Sequence, residues 1–243
     1  GDTVLKVENL CNEYIEDVSF EVKAGEILGI SGLMGAGRTE LAKTIYGHFR
    51  KTNGKIYVKN REINNKSAKD GLKNRIAYVS EDRKGDGLIL DLSVKENMAI
   101  SSLNRMSSFF KIDKKKELAR VQDYIGRMRI KTPSENQLVR NLSGGNQQKI
   151  AIAKALMTHP DVLILDEPTR GVDVGAKKEI YDLINEFKSQ GKAVIMISSE
   201  MPEILGLSDR ILVLSQGRIT GEFDIESATQ EAILKCAVEA KEA

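Results

Sequence analysis

Short apolar runs alternate with longer stretches of helical spacing along these 243 residues, which predicts an α/β chain. Val4–Leu10 and Val18–Val22 alternate apolar and polar positions as half-buried strands do. Gly25 then turns the chain into Ile27-Leu28-Gly29-Ile30, a short buried strand, and a helix is predicted over Thr39–Tyr46. Further strands are predicted at Lys55–Val58, Ile76–Val79, Val162–Leu165, Ala193–Ile197 and Ile211–Leu214. Between Lys84 and Lys154 the pattern changes. No strong strand is offered there, and helical spacing runs over Ser93–Leu103, Lys114–Met128 and Gly144–Leu156. The run Lys114-Lys115-Lys116-Glu117 reads as a solvated helix start. Together these patterns predict a mixed-sheet core, about 1–83 plus 155–222, interrupted by a helical insert over about 84–154. The tail Glu226–Glu242 is expected to form a peripheral helix.

Composition narrows the class. With 37 Lys and Arg against 35 Asp and Glu, the net charge of +2 is too small to argue for nucleic acid or a membrane surface by charge alone. Hydrophobic residues at 41% and charged residues at 30% fit a globular chain rather than a disordered one. Cys11 and Cys236 lie far apart without metal-ligand spacing, so neither a disulfide framework nor a zinc site is expected and a reduced compartment is. Apolar runs such as Val194–Ile197 fall far short of the ~20 residues that span a bilayer. The chain opens Gly1-Asp2-Thr3 without Met and runs directly into a strand pattern, which reads as a piece excised from a longer polypeptide.

Three motifs carry chemistry. The loop Gly32-Leu33-Met34-Gly35-Ala36-Gly37-Arg38-Thr39 follows a predicted strand and opens a predicted helix. In that context glycines let backbone N–H groups approach a phosphate, the helix N-terminus adds its dipole, and Thr39 supplies a hydroxyl to Mg²⁺. The standard pattern has Lys where this chain has Arg38, and a plain glycine-rich turn is the alternative. Second, Val162-Leu163-Ile164-Leu165-Asp166-Glu167-Pro168 is an apolar strand ending in two acids. Its geometry would place Asp166 at the sheet edge to hold Mg²⁺ through water, with Glu167 next to it to polarise an attacking water. Third, Leu142-Ser143-Gly144-Gly145-Asn146-Gln147-Gln148-Lys149 precedes that strand, with Gly145 lying 21 residues before Asp166. A serine and two glycines at a helix start form another phosphate-facing cap.

At this third motif the chain resembles the ATP-binding-cassette (ABC) family, whose LSGGQ-like signature stands at this place; the fifth position here is Asn146. The resemblance covers essentially the whole chain. It is closer to the second cassette of tandem-cassette monosaccharide importers of the ribose type, on Gly32–Thr39, Ser80-Glu81-Asp82-Arg83-Lys84, Asp166–Gly175 and Ser198-Ser199-Glu200-Met201-Pro202-Glu203. It implies an α/β P-loop NTPase (RecA-like) core with an antiparallel β subdomain and an inserted α-helical signature subdomain. It implies ATP and Mg²⁺ as cofactors, with nucleotide contacts at Gly32, Gly35, Ala36, Gly37, Arg38, Thr39 and Glu40, and metal contacts at Thr39, Asp166 and Glu81. Ser143, Gly144, Gly145 and Gln147 would face the nucleotide of a partner domain. The implied partners are an N-terminal cassette of the same polypeptide, transmembrane permease subunits and, indirectly, a sugar-binding protein. Nucleic acid is not among them, and the implied place is the cytoplasmic face of the membrane.

Departures from the family pattern qualify the catalytic residues Glu167, Ser199 and Glu81. Arg38 replaces a compact lysine with a planar fork. Glu81 stands where the family has a glutamine and Ser199 where it has a γ-phosphate histidine. The adenine-stacking aromatic corresponds to Tyr14, with a tyrosine packed on the sheet as the equal alternative. His48 and His159 read as surface residues. Losing a charge-assisted hydrogen bond costs about 1.5–3 kcal/mol, and losing a transition-state donor costs on the order of 10²–10³ in rate. The resemblance therefore implies weak to moderate nucleotide binding and very slow hydrolysis at this site, with negligible turnover by the isolated fragment. Two other readings remain: a non-hydrolysing regulatory module, and a soluble tandem-cassette protein of translation or DNA repair. The near-neutral charge and the lack of a basic arm count against the last.

Overall fold

The computed structural model describes residues 1–105, 107–108, 111–112 and 114–239. In chain order the elements begin with β1 (Thr3–Cys11), β2 (Val18–Lys23), β3 (Ile27–Ser31), α1 (Arg38–Tyr46), β4 (Asn53–Val58), β5 (Arg61–Ile63), α2 (Ala68–Lys73) and β6 (Ile76–Val79). There follow α3 (Val94–Ala99), β7 (Ser107–Ser108), β8 (Lys111–Ile112), α4 (Lys114–Arg127) and α5 (Gly144–Leu156). The chain continues with β9 (Val162–Asp166), α6 (Val174–Ser189), β10 (Ala193–Ile197), α7 (Met201–Leu207), β11 (Arg210–Ser215), β12 (Arg218–Asp224) and α8 (Gln230–Glu239).

Two compact units emerge. The first comprises Gly1–Tyr78, Pro160–Glu167 and the chain from Asn185 onward; the second comprises Val79–His159 and Pro168–Ile184. Besides the expected insert, the second unit thus takes in residues 79–83, 155–159 and 168–184, which the sequence pattern assigns to the core.

In the first unit, a six-stranded sheet runs β12-β11-β3-β10-β9-β6 and a four-stranded sheet runs β2-β1-β4-β5. Strands β11, β3, β10 and β9 are mutually parallel, and β12 closes the edge antiparallel to β11. Their composition explains the arrangement. Every residue of β3, β9 and β10 is buried, as a parallel strand covered on both faces requires. β2 instead alternates buried and exposed positions, as an antiparallel strand with one wet face does. Leu41, Ala42 and Ile45 of α1 share one apolar cluster with Leu5, Val7 and Ile56 of the small sheet and Ile30, Ile164 and Ile195 of the large one. The helix that follows the phosphate loop is thereby fixed by core packing, which sets where the loop points.

Behind the acidic strand lies a buried carboxylate with three cations. Asp161 receives Lys192 at 2.7 Å and Lys59 at 3.0 Å, and Arg75 engages both of its oxygens. Burial pushes its pKa up, but the bonds from Arg75, Lys192 and Lys59 outweigh that and hold it well below the usual carboxylate range. A lowered folded pKa contributes stability that is present above the unfolded value, about 4, and lost as pH falls through the folded value. Asp161→Asn should therefore cost about 1.5–3 kcal/mol near neutral pH. In urea melts the gap to wild type should hold from about pH 7 to 5 and narrow below about pH 4; a gap that stays constant down to acid pH would contradict this.

In the second unit, Ser93 starts α3 with a capping box: its hydroxyl accepts from Glu96 N–H while the Glu96 carboxylate accepts from the Ser93 backbone. The sequence places this helix over Ser93–Leu103. Regular α-helix ends at Ala99, and the chain tightens into a 3₁₀ turn over Ile100–Arg105. At the other end of the chain, the helix expected from Glu226 begins at Gln230, because the Thr229 hydroxyl accepts from Ala232 N–H and residues 224–228 form a turn. The part of that expectation beyond 239 lies outside the described residues.

Candidate functional site

The phosphate loop leaves β3 at Ser31 and enters α1 at Arg38. Gly32, Gly35 and Gly37 all take positive φ values, of 150°, 80° and 96°. A Cβ on Gly32 would stand 2.3 Å from the Leu214 carbonyl oxygen, so both the backbone and the space require glycine there. Gly37 is the N-cap of α1 and offers no side chain, leaving the first-turn N–H groups uncapped by a side chain and available to an anion. Ala36 is buried and its carbonyl accepts from Gly217, which anchors the loop from behind. Glu40 stands in that first turn.

Parallel pairing of β10 with β9 sets Ile197 opposite Asp166 and so brings Glu167 beside the Ser198–Ser199 turn. Asp166 is fully buried. Tyr78 donates its hydroxyl to Oδ2 at 2.9 Å, whereas Oδ1 is buried without a hydrogen-bond partner among the described residues. Burial raises the pKa of this carboxyl, against the pull of the Tyr78 and Thr39 hydroxyls. An orphaned acceptor beside a threonine hydroxyl fits Mg²⁺, which takes one or two protein oxygens and keeps several waters. Asp166 and Thr39 are the residues that would hold it.

Glu167 sits in the left-handed region at φ 49°, a conformation that a non-glycine residue holds only at a cost. Its N–H donates to the Ile197 carbonyl at 2.9 Å. Both of its carboxylate oxygens are engaged. The Ser199 hydroxyl donates to Oε2 at 3.0 Å, and Arg38 Nη2 lies 3.8 Å from Oε1. Arg38 also donates through Nη1 to the Ser198 carbonyl at 2.9 Å. The side chains of Arg38 and Glu167 are only 12% and 8% exposed, so solvent screens this pair little. Arg38, expected from the resemblance to contact nucleotide, also stands here as a counterion of the acid, which holds the carboxylate together with the Ser199 hydroxyl.

Tyr14 is exposed, and its ring lies 5.1 Å from that of Phe49, a neighbour that no motif in the sequence marks. His48 and His159 are both exposed.

The signature turn belongs to the second unit. Ser143 is the N-cap of α5 and is exposed; its hydroxyl oxygen accepts from the Asn146 side-chain amide at 2.9 Å and more weakly from Asn146 N–H. Both contacts use the oxygen as acceptor, leaving the hydroxyl proton to donate. A Cβ on Gly145 would meet Ala176 at 2.9 Å, and one on Gly144 would meet Arg83 Nη2 at 2.8 Å. Gln147 is buried and donates to the Val139 and Leu142 carbonyls, so its amide braces the turn from inside. Asn146, at the fifth signature position, is the amide that remains partly exposed, and its Oδ1 accepts from Lys131 N–H. Glu81 pairs with Arg170 in this same unit.

The family model described as ABC transporter matches residues 15–170. The chain belongs to the ABC transporter family. A relative named ribose import ATP-binding protein RbsA, from Clostridium tetani (strain Massachusetts / E88), is 57% identical over 240 residues, 98% of this chain and 48% of that protein. The chain thus spans about half the length of the curated relatives it matches. Among solved structures, MJ1267, an ATP-binding cassette of an ABC transporter, superposes with a TM-score of 0.83 at 23% identity, covering 98% of this chain and 100% of that one. The dimeric cassette MJ0796, in a post-hydrolysis state bound to ADP and Pi, gives a TM-score of 0.79 at 23% identity, covering 91% and 98%. At that identity the likeness establishes the fold: the mixed α/β P-loop NTPase core that the motifs imply. Among the described residues of this ABC chain, no helix is long and apolar enough to cross a membrane.

Proposed function

We propose that this chain is the second nucleotide-binding domain of an ABC-type sugar importer, with ribose as the sugar. In this reading it sandwiches ATP with a partner cassette of the same polypeptide at the cytoplasmic face of the membrane and powers uptake through permease subunits served by a sugar-binding protein. The 57% identity to a ribose import ATP-binding protein of about twice the length supports it. The observation that carries the division of labour is the contrast between the two half-sites. The signature turn keeps a free hydroxyl proton on Ser143 and two side-chain-free glycines, whereas the acid of the chain's own site is held by Arg38 and Ser199. Ser143, Gly144 and Gly145 then complete the partner's site, where fixed donors stabilise charge on the transferring phosphate. The chain's own site, with Thr39 and Asp166 for Mg²⁺ and Glu167 as the acid, serves binding more than turnover.

The engagement of Glu167 favours one other reading, a nucleotide-binding regulatory module that does not hydrolyse. Uptake of labelled ribose separates the two. Cells deleted for this stretch should lose ribose uptake and regain it on complementation; uptake undiminished by the deletion would overturn the importer assignment.

A further inference from the structure

Arg83 lies in the second unit, in the wide turn Arg83–Gly87 that follows Glu81 and Asp82. It lines an open cleft of about 430 Å³ with Glu81, Asp82, Lys84 and Arg170. Its neighbouring acids are committed elsewhere: Glu81 pairs with Arg170, and Asp82 accepts from Lys84 N–H at 3.2 Å and Gly85 N–H at 2.9 Å. Among the described residues, Arg83 Nε is buried without a hydrogen-bond partner. Its guanidinium is held by one hydrogen bond, and the other end of the fork packs beside a glycine. Nη1 donates to the Arg170 carbonyl at 3.1 Å, and Nη2 lies against Gly144, where a Cβ would come within 2.8 Å. The same Nη2 is 3.9 Å from a Cβ built on Gly171. One planar side chain therefore spans the turn after the acidic strand and the first glycine of the signature.

We propose that Arg83 is a positioning residue for the signature. Anchored at the Arg170 carbonyl, its fork fills the space beside Gly144 and buttresses that face of the turn, which aims the Gly144 and Gly145 N–H groups outward. The proposal rests on the reading above that the signature completes a partner's site. Nη1 anchors the side chain at the Arg170 carbonyl while the buried Nε has no acceptor among the described residues. A lysine cannot replace it, since a single ammonium on a flexible stem does not span a carbonyl and a glycine face at once.

The test is steady-state ATP hydrolysis by the complete importer. Arg83→Ala should lower kcat about 10–100-fold, as small misplacements of catalytic donors do, with KM for ATP changed by less than about twofold. Arg83→Lys should not rescue it, and carries the test if Arg83→Ala does not fold. Gly144→Ala supplies an independent arm: its methyl group meets Nη2 in the wild type, so it should cost several-fold more activity there than in the Arg83→Ala background. Wild-type kcat in Arg83→Ala, full rescue by Arg83→Lys, or strictly additive effects would each overturn the proposal. Gly144→Asp serves as the control. If it leaves hydrolysis intact, the reading of the signature itself fails; if it abolishes hydrolysis while the Arg83 variants retain full kcat, only the inference about Arg83 fails.

Discussion

If the chain serves the importer proposed above, Gly144→Asp should reduce ATP hydrolysis and ribose uptake by the complete protein on the order of 10²–10³-fold, while Glu167→Gln should leave more than about half of both. The first expectation follows from where Gly144 stands. It is the first residue of α5, directly after the Ser143 cap, with Arg83 Nη2 close to where a Cβ would be. An aspartate there sets a carboxylate at the helix N-terminus, where the dipole welcomes it, and next to a guanidinium that no other carboxylate neutralises among the described residues. The fold should therefore tolerate the change, and thermal melting of the isolated chain should move little. What is lost is the place for a phosphate, because the carboxylate occupies the donors and repels the nucleotide's charge. Glu167→Gln acts instead on an acid already held by Arg38 and Ser199, so little working capacity remains to be removed. If Glu167→Gln proves the more damaging substitution, the chain's own site is the working one and the division of labour proposed above is reversed.

The difference between these two half-sites was only partly legible in the sequence. The phosphate loop, the acidic strand and the signature are each local: glycine spacing, an apolar run and a serine cap carry them. The strands β3, β9 and β10 were legible for the same reason, since each is a continuous apolar run. The lock on Glu167 was not, because Ser199 reaches it only through the parallel pairing of β10 with β9, and Arg38 only through that of β3 with β10. Arg83 was hidden for a related reason: its contacts to Arg170 and Gly144 are long-range and involve a carbonyl and a glycine, neither of which marks a partner in sequence. Gln147 and Asn146 show how little a helix start reveals of which amide faces out; one turns inward to the Val139 and Leu142 carbonyls and the other does not. β12 escaped because its edge position leaves it without a clean alternation of buried and exposed residues.

Restoring the family pattern in the chain's own site should recover hydrolysis that the signature variant removes. With Gly144→Asp silencing the partner's site, the triple change Arg38→Lys, Glu81→Gln and Ser199→His should raise ATP turnover on the order of 10²-fold above the Gly144→Asp background. The argument rests on the geometry around Glu167. A lysine in place of Arg38 is a compact charge without the planar fork that now sets one nitrogen on the Ser198 carbonyl and the other near the Glu167 carboxylate, so it should hold the acid less firmly and free it to orient a water. A histidine in place of Ser199 removes the hydroxyl that occupies Oε2 and brings an imidazole donor to the turn beside the acid. Glu81→Gln removes the charge now paired with Arg170 and leaves an amide that can both donate and accept. Arg38→Lys alone should loosen Glu167 yet leave the donor at residue 199 unchanged, so it should give only a small part of the gain. The decisive comparison is the triple variant with and without Gly144→Asp. Turnover that stays at background in both would mean that the lock on Glu167 is not what limits this site.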